Sequence, residues 1–186
     1  MTVEASLQEA THKMEQAVAH LKEELATIRT GRASPAVLNR VTVDYYGTQV
    51  PLNQLASVTV PEPRLLQISP FDKQAIAAIE KAIQASDLGI TPNNDGNVIR
   101  LAFPPLTEER RRELVRQVHQ RAEEGRVAVR NVRRHAKEHL ERLERDGGIS
   151  QDERQRAERE LQKLTDRFVA EIDDIQAHKE RELMEV

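Results

Sequence analysis

Hydrophobic residues recur at alternating spacings of three and four along three segments of the chain, which is the pattern of amphipathic helices. In the first segment the stripe runs Val3, Leu7, Thr11, Met14, Val18, Leu21, Leu25 and Ile28. It ends where Thr30 and Gly31 are followed by Pro35, because glycine and proline both disfavour helix continuation. The sequence therefore predicts a first long helix of roughly 40 Å.

A second helix is predicted to begin after Pro104 and Pro105 and to end at Asp146-Gly147-Gly148. Its stripe runs Leu114, Val118, Ala122, Gly125, Val129, Val132, Ala136, His139 and Leu143. A helix of this extent spans roughly 57 Å at 1.5 Å per residue.

A third helix is predicted after Ser150, which forms a capping box with Glu153. Its stripe runs Ala157, Leu161, Leu164, Phe168, Ile172 and Ile175. The turn between the second and third helices is short, so the two pack antiparallel. No helix can bury its stripe alone, and the first helix completes a three-helix bundle.

Residues 32–104 follow a different pattern, with alternating β-branched residues and turn signals. The predicted elements are strands at 41–46, 57–60, 65–69 and 98–101, a short helix at 75–85, and turns at 47–48 and 92–96. The sequence thus predicts an α+β fold in which a long three-helix bundle (1–30 and 106–186) carries an inserted small β/α/β domain (31–105).

Two strands of chain connect the predicted domains, with Thr30 and Gly31 at one crossing and Pro104 and Pro105 at the other. Two crossings beside glycine and proline indicate a hinge, since domain motion is the default for a small interface. Rigid docking of the two domains is the alternative.

Composition narrows the classes of function. Only 3% of residues are aromatic and none is Trp, which argues against a base-stacking RNA platform. The net charge is −3, so nucleic-acid binding requires a local basic patch. The absence of cysteine excludes disulfides and thiolate metal sites. Residues 1–30 are acid-containing and lack a signal-peptide core, and no apolar run approaches a membrane span, so we expect a cytoplasmic protein without a membrane partner.

The second helix carries a segment with five cations and no acid, formed by Arg126, Arg130, Arg133, Arg134 and Lys137. All but Arg134 fall on one narrow face beside the apolar stripe, where we expect them to be exposed. Phosphates of a polyanionic partner would offset their mutual repulsion. Alternatively, the face keeps the bundle soluble or pairs with acids of the third helix, and composition alone slightly favours this alternative. A smaller cluster, Arg29 and Arg32, follows the first helix.

Candidates for catalysis are weak. His135 and His139 are four residues apart, but the intervening Glu138 is misplaced for a zincin motif and no third ligand is evident. His139 lies on the apolar stripe, where a packed imidazole is expected. The sequence predicts no catalytic residue, no metal site and no cofactor.

Several blocks of residues resemble the ribosome recycling factor family. They are the run 28–35 (Ile-Arg-Thr-Gly-Arg-Ala-Ser-Pro), Tyr45–Thr48, Leu55–Val58, Ser86–Gly89, Ile99–Arg111 and Val127–Arg134. The blocks cover essentially the whole chain in the family's order and spacing. Together they are far more specific than any single motif.

The resemblance implies an L-shaped monomer, with the bundle as one arm and the hinged domain as the other. It implies a non-enzymatic factor that binds the large ribosomal subunit and its ribosomal RNA after termination. It also implies that elongation factor G and GTP then split the complex into subunits, which frees mRNA and tRNA. By motif, Arg133 is implied as the principal RNA contact, with Arg130, Arg29 and Arg32 in support, and the cationic face becomes an RNA-binding surface.

Two departures from the family pattern bear on these expectations. His135 stands where relatives often have an acid, which suggests a weak pH dependence of RNA binding. The glycine pair after Asp146 suggests a looser end of the bundle. Two other classes stay open on the residues alone: a scaffold that binds only proteins, and a hydrolase that uses the histidines.

Overall fold

The structure is a computed structural model that describes residues 2–185, and these divide into two compact units. One unit comprises residues 2–28 and 108–185, and the other comprises residues 29–107. In chain order the elements are α1 (Val3–Ala26), β1 (Thr42–Tyr45), β2 (Thr48–Pro51), β3 (Ala56–Glu62), β4 (Leu65–Pro70), α2 (Ile76–Gln84), β5 (Asn93–Asn94), β6 (Ile99–Ala102), α3 (Glu108–Arg145) and α4 (Gln151–Met184). None of the described helices is both long and apolar enough to cross a membrane.

The first unit is the predicted three-helix bundle, in which α1, α3 and α4 all pack against one another. Its core is the apolar seam of Met14, Val18, Leu21, Leu25, Val118, Ala122, Val129, Leu140, Leu161, Phe168 and Ile172, all buried. Gly125 marks a point where the three helices meet. A methyl group there would lie 3.4 Å from Ile172 Cδ1 and 3.6 Å from Leu21 Cδ2.

The buried stripe departs from the predicted one toward the helix ends. On α1, Ser6 and Ala10 are buried while Leu7 and Thr11 are only half-buried, and on α3 Leu140 is fully buried in place of His139. A helix of 3.6 residues per turn drifts relative to a strict seven-residue repeat, so the buried face moves by one position over several turns.

The ends of the long helices are defined by local hydrogen bonds. Helix α1 ends at Ala26, earlier than predicted, and the Thr27 hydroxyl donates to the Glu24 carbonyl at 2.6 Å. After α3, Gly147 adopts φ +80° and the Gly148 N–H donates to the Leu143 carbonyl at 2.8 Å. These features form a Schellman cap, so the glycine pair closes the helix rather than loosening it.

Helix α4 begins with half of the predicted capping box. The Ser150 hydroxyl accepts from the Glu153 N–H at 3.1 Å. Within residues 2–185, the Glu153 carboxylate returns no bond to the Ser150 N–H. One capping bond is sufficient to satisfy a free donor at the helix start.

The second unit is a small α+β fold. Strands β3, β4, β6 and β5 form an antiparallel sheet in that order, β1 and β2 form a hairpin, and α2 packs against β1. The core consists of Leu38, Val43, Leu52, Leu66, Ile68, Ile79, Ile83, Ile99 and Leu101. Sequence patterning missed β2, and it predicted a turn at Asn93–Asn94, where the structure has the short strand β5. Strand β5 has only two residues, and β2 (Thr-Gln-Val-Pro) has Val50 as its one apolar residue besides the terminal proline, so neither shows apolar alternation.

Backbone hydrogen bonds mark where each crossing leaves its unit. On one side, the Ile28 N–H donates to Leu25 in the bundle and the Ala33 N–H donates to Pro63 in the second unit. On the other side, the Phe103 N–H donates to Arg64, and α3 begins at Glu108. The crossings are therefore residues 29–32 and 104–107. These short irregular segments contain all four predicted hinge residues.

Candidate nucleic-acid interface

A groove of about 760 Å³ lies between α3 and α4 of the bundle. Its lining includes five cations (Arg130, Arg133, Arg134, Lys137 and Arg159) and one acid, Glu158. The remaining lining residues are Asn131, Gln155, Leu161 and Gln162. Four of the five cations come from the segment singled out in the sequence, and α4 supplies the fifth.

The single acid of the groove is already engaged. Arg154 donates from Nη1 to Glu158 Oε1 at 2.9 Å and from Nε to Glu144 Oε2 at 2.7 Å. The bond with Glu158 is the main reason why the pKa of Arg154 is raised. Because Glu158 is paired with Arg154, which lies outside the groove lining, the groove keeps a strong positive charge.

Arg133, predicted to be exposed, is instead half-buried in the groove wall, where an amide holds it. Its Nη1 donates to Gln162 Oε1 at 3.1 Å, and Gln162 Nε2 in turn donates to Asp166 Oδ1 at 2.8 Å. No carboxylate in the described part of the chain forms an ion pair with Arg133. Its guanidinium is therefore oriented while its charge stays uncompensated.

The other groove cations of α3 (Arg130, Arg134 and Lys137) are exposed, as predicted for Arg130 and Lys137. Arg134 and Lys137 form no ion pair within residues 2–185. Arg130 is 48% exposed and lies 3.6 Å from Glu123 Oε1. An exposed pair of this kind contributes little to stability, so Arg130 can exchange it for a phosphate at small cost.

The prediction that Arg126 is exposed is wrong. Its side chain is only 15% exposed, its Nε donates to Asp173 at 2.8 Å and its Nη1 to Glu123 at 3.2 Å. Its Nη2 also donates to Gln176, which is buried. Arg126 is thus tied to the α3–α4 interface and is absent from the groove lining. The alternative that the basic face pairs with acids of the third helix is correct for this residue.

Arg29 and Arg32 are exposed and belong to the second unit, and neither lines the groove. Helix α1 has no basic residue in its last turn, because it ends three residues before Arg29. Stabilisation of the helix dipole therefore does not explain Arg29.

Sequence patterning missed the wall of the groove that α4 supplies. Gln155, Arg159 and Gln162 recur at spacings of four and three along α4, which places them on one face. That spacing was readable from the sequence. The register that sets this face opposite Arg133 was not.

The histidines form no candidate metal centre. The structure has no group of three metal-ligating side chains among the residues it describes. His135 is 69% exposed and lies 3.9 Å from Glu138, while His139 is half-buried with its Nε2 shielded from solvent.

Comparison with known proteins matches residues 21–184 to the family model described as ribosome recycling factor. The chain belongs to the ribosome recycling factor family. A ribosome-recycling factor of Shouchella clausii (strain KSM-K16) is 59% identical over 178 residues, which cover 96% of each chain. One of Bacillus subtilis (strain 168) is 56% identical over 180 residues, which cover 97% of each.

Solved structures of recycling factors have the same fold. A solution structure of a ribosome recycling factor superposes with a TM-score of 0.75 at 49% identity, covering 100% of this chain and 99% of that one. The T. thermophilus factor, described together with E. coli elongation factor G on the E. coli post-termination complex, gives 0.63 at 49% identity, covering 98% and 99%. Membership in the recycling factor family confirms the predicted α+β fold and identifies the chain as a non-enzymatic translation factor.

Proposed function

We propose that the α3–α4 groove binds ribosomal RNA of the large subunit after termination, and that elongation factor G with GTP then splits the complex. The observation that carries this proposal is the charge of the groove, with five cations and a single acid that is already paired. Release of mRNA and tRNA follows from subunit separation. We place this activity in the cytoplasm.

The chemistry of the groove suits the phosphate backbone better than base edges. Guanidinium groups bind phosphate oxygens with two parallel N–H donors, and four of the five cations are arginines. Neutralised phosphates release counterions, so binding weakens steeply as salt rises. Arg133 is the principal contact in this proposal, Arg130, Arg134, Lys137 and Arg159 add charge, and Arg29 and Arg32 are retained as secondary contacts.

The second part of the proposal concerns the crossings. Residues 29–32 and 104–107 lie between the hydrogen bonds that tie the chain to each unit. Gly31 adopts φ +79° in one crossing, and Pro104 and Pro105 occupy the other. We assign a hinge to these two segments, through which the unit of residues 29–107 responds to elongation factor G. We assign GTP hydrolysis to that partner, which accompanies the T. thermophilus relative on the post-termination complex.

The test of the proposal is the splitting of post-termination ribosomes by the full chain with elongation factor G and GTP. Light scattering reports dissociation into subunits, and omission of GTP is the control. We expect splitting only when both factors and GTP are present. The positive control is a Bacillus subtilis recycling factor with the same elongation factor G. If that factor splits post-termination ribosomes and this protein does not, the proposal is contradicted.

A further inference from the structure

The amide of Gln162, which holds Arg133, differs from the partners of the other half-buried arginines at the α3–α4 interface. Arginines recur along the α3–α4 interface, and the structure gives each half-buried one defined partners. Arg126 meets the carboxylates of Asp173 and Glu123, and Arg154 meets those of Glu144 and Glu158. Arg133 differs, since its one described partner is the neutral Gln162.

The register of the antiparallel helices makes this difference informative. Arg126 pairs with Asp173 at 2.8 Å, and one heptad further along both helices the corresponding residues are Arg133 and Asp166. An ion pair between Arg133 and Asp166 would repeat the one between Arg126 and Asp173. Instead, Asp166 accepts from Gln162 Nε2 at 2.8 Å, and Gln162 Oε1 faces Arg133.

The amide has a fixed direction in this arrangement. A carboxylate can only accept, so Asp166 requires the NH₂ side of Gln162, which leaves the carbonyl oxygen for Arg133. The reversed amide would set donor against donor at the guanidinium. Asp166 therefore determines which end of Gln162 Arg133 meets.

We propose that Gln162, oriented by Asp166, is a positioning residue that aims the Arg133 guanidinium into the groove without neutralising it. The inference rests on the proposed function, in which Arg133 binds a phosphate of ribosomal RNA. A carboxylate at the same place would also orient the guanidinium, but it would compete with the phosphate for its charge.

Three variants separate orientation from charge. Gln162→Leu removes the acceptor at constant charge, Gln162→Glu converts it into a competing carboxylate, and Gln155→Glu adds the same charge to the same groove without contacting Arg133. Gln162 is exposed, and melting temperatures of all variants establish that the bundle is intact. The readout is the dissociation constant for isolated large ribosomal subunits across a series of KCl concentrations.

We expect Gln162→Leu to weaken binding roughly three- to tenfold, since the Arg133 side chain is no longer ordered before it meets the RNA. Gln162→Glu should weaken binding to large subunits more than Gln162→Leu does. It should also weaken binding more than Gln155→Glu does. In the Arg133→Ala background, Gln162→Leu should have no further effect, which a merely structural role for Gln162 would not produce.

Equal losses from Gln162→Leu with and without Arg133 would overturn the positioning role, as would equal losses from the two glutamate variants. If Arg133→Ala itself leaves binding unchanged, the proposed function of the groove fails. If Arg133→Ala weakens binding and Gln162→Leu does not, only the role of Gln162 fails.

Discussion

Arg126 donates from Nε to Asp173 Oδ1 at 2.8 Å across the α3–α4 interface, and this contact separates it from the cations that share its helix face. In the sequence, Arg126 and Arg133 look equivalent, one heptad apart on the same face. In the folded chain, Arg126 forms ion pairs with Asp173 and Glu123, whereas Arg133 bonds only to the neutral Gln162 among the described residues.

Replacement of Arg126 with alanine should therefore affect stability and not RNA binding. The variant loses its hydrogen bonds to Asp173, Glu123 and the buried Gln176, so we expect it to lower the free energy of unfolding by about 1–3 kcal/mol. Urea denaturation measures this loss. Weaker binding to large subunits at unchanged stability would contradict the assignment.

The turn between β5 and β6 should be sensitive to acid. Asp95 accepts from the N–H groups of Val98 and Asn97, each at 2.9 Å, and pairs with Arg100 at 2.8 Å. These contacts lower the pKa of Asp95 from 3.8 to about 2, and the hydrogen bond from the Val98 N–H is the largest cause. Because the folded state favours the ionised form, its stabilising contribution is present above the ordinary pKa and is lost as pH falls from about 4 to about 2.

The measurement is a carboxyl titration of Asp95 by NMR, combined with urea denaturation of the wild type and Asp95→Asn. The stability difference between the two proteins should be constant near neutral pH and shrink below pH 4. A titration midpoint near 4 would show that the turn does not hold the carboxylate as described.

The hinge can be tested with spin labels, because the chain has no cysteine of its own. Labels at Gln84→Cys and Gln117→Cys report on the two units, and labels at Gln117→Cys and Glu160→Cys provide a control within the bundle. All three positions are exposed. We expect a broader distance distribution between the units than within the bundle, and equal widths would contradict the hinge.

The substitution Gly31→Pro is a poor probe of the same hinge. Gly31 adopts φ +79°, whereas proline fixes φ near −65°. This variant would distort the crossing rather than only stiffen it.

Prediction from sequence succeeded where a periodic signal is long. Helices α3 and α4 were predicted nearly to their ends, because stripes of many turns and glycine or serine boundaries identify them together. The strand at Thr48–Pro51 was missed, since Val50 is its one apolar residue besides the terminal proline and the segment shows no alternation.

The candidate site was predicted in part for a related reason. The cations of α3 are close together in sequence and therefore visible as a cluster. The pairing of Arg126 with Asp173, the bond from Arg154 to Glu144 and the placement of Arg159 opposite the α3 cations all depend on the register between α3 and α4. No local pattern specifies that register, because core packing along the whole interface determines it.

The most direct test of the groove is the affinity of large ribosomal subunits for the wild type and Arg133→Ala across a range of KCl concentrations, with Arg126→Ala as the matched control. We expect Arg133→Ala to bind more weakly and to make the negative slope of log K against log salt shallower by about one, since one phosphate contact is lost. Arg126→Ala should keep the wild-type affinity and slope. Identical affinity and slope for Arg133→Ala and the wild type would contradict the central claim that this groove binds ribosomal RNA through Arg133.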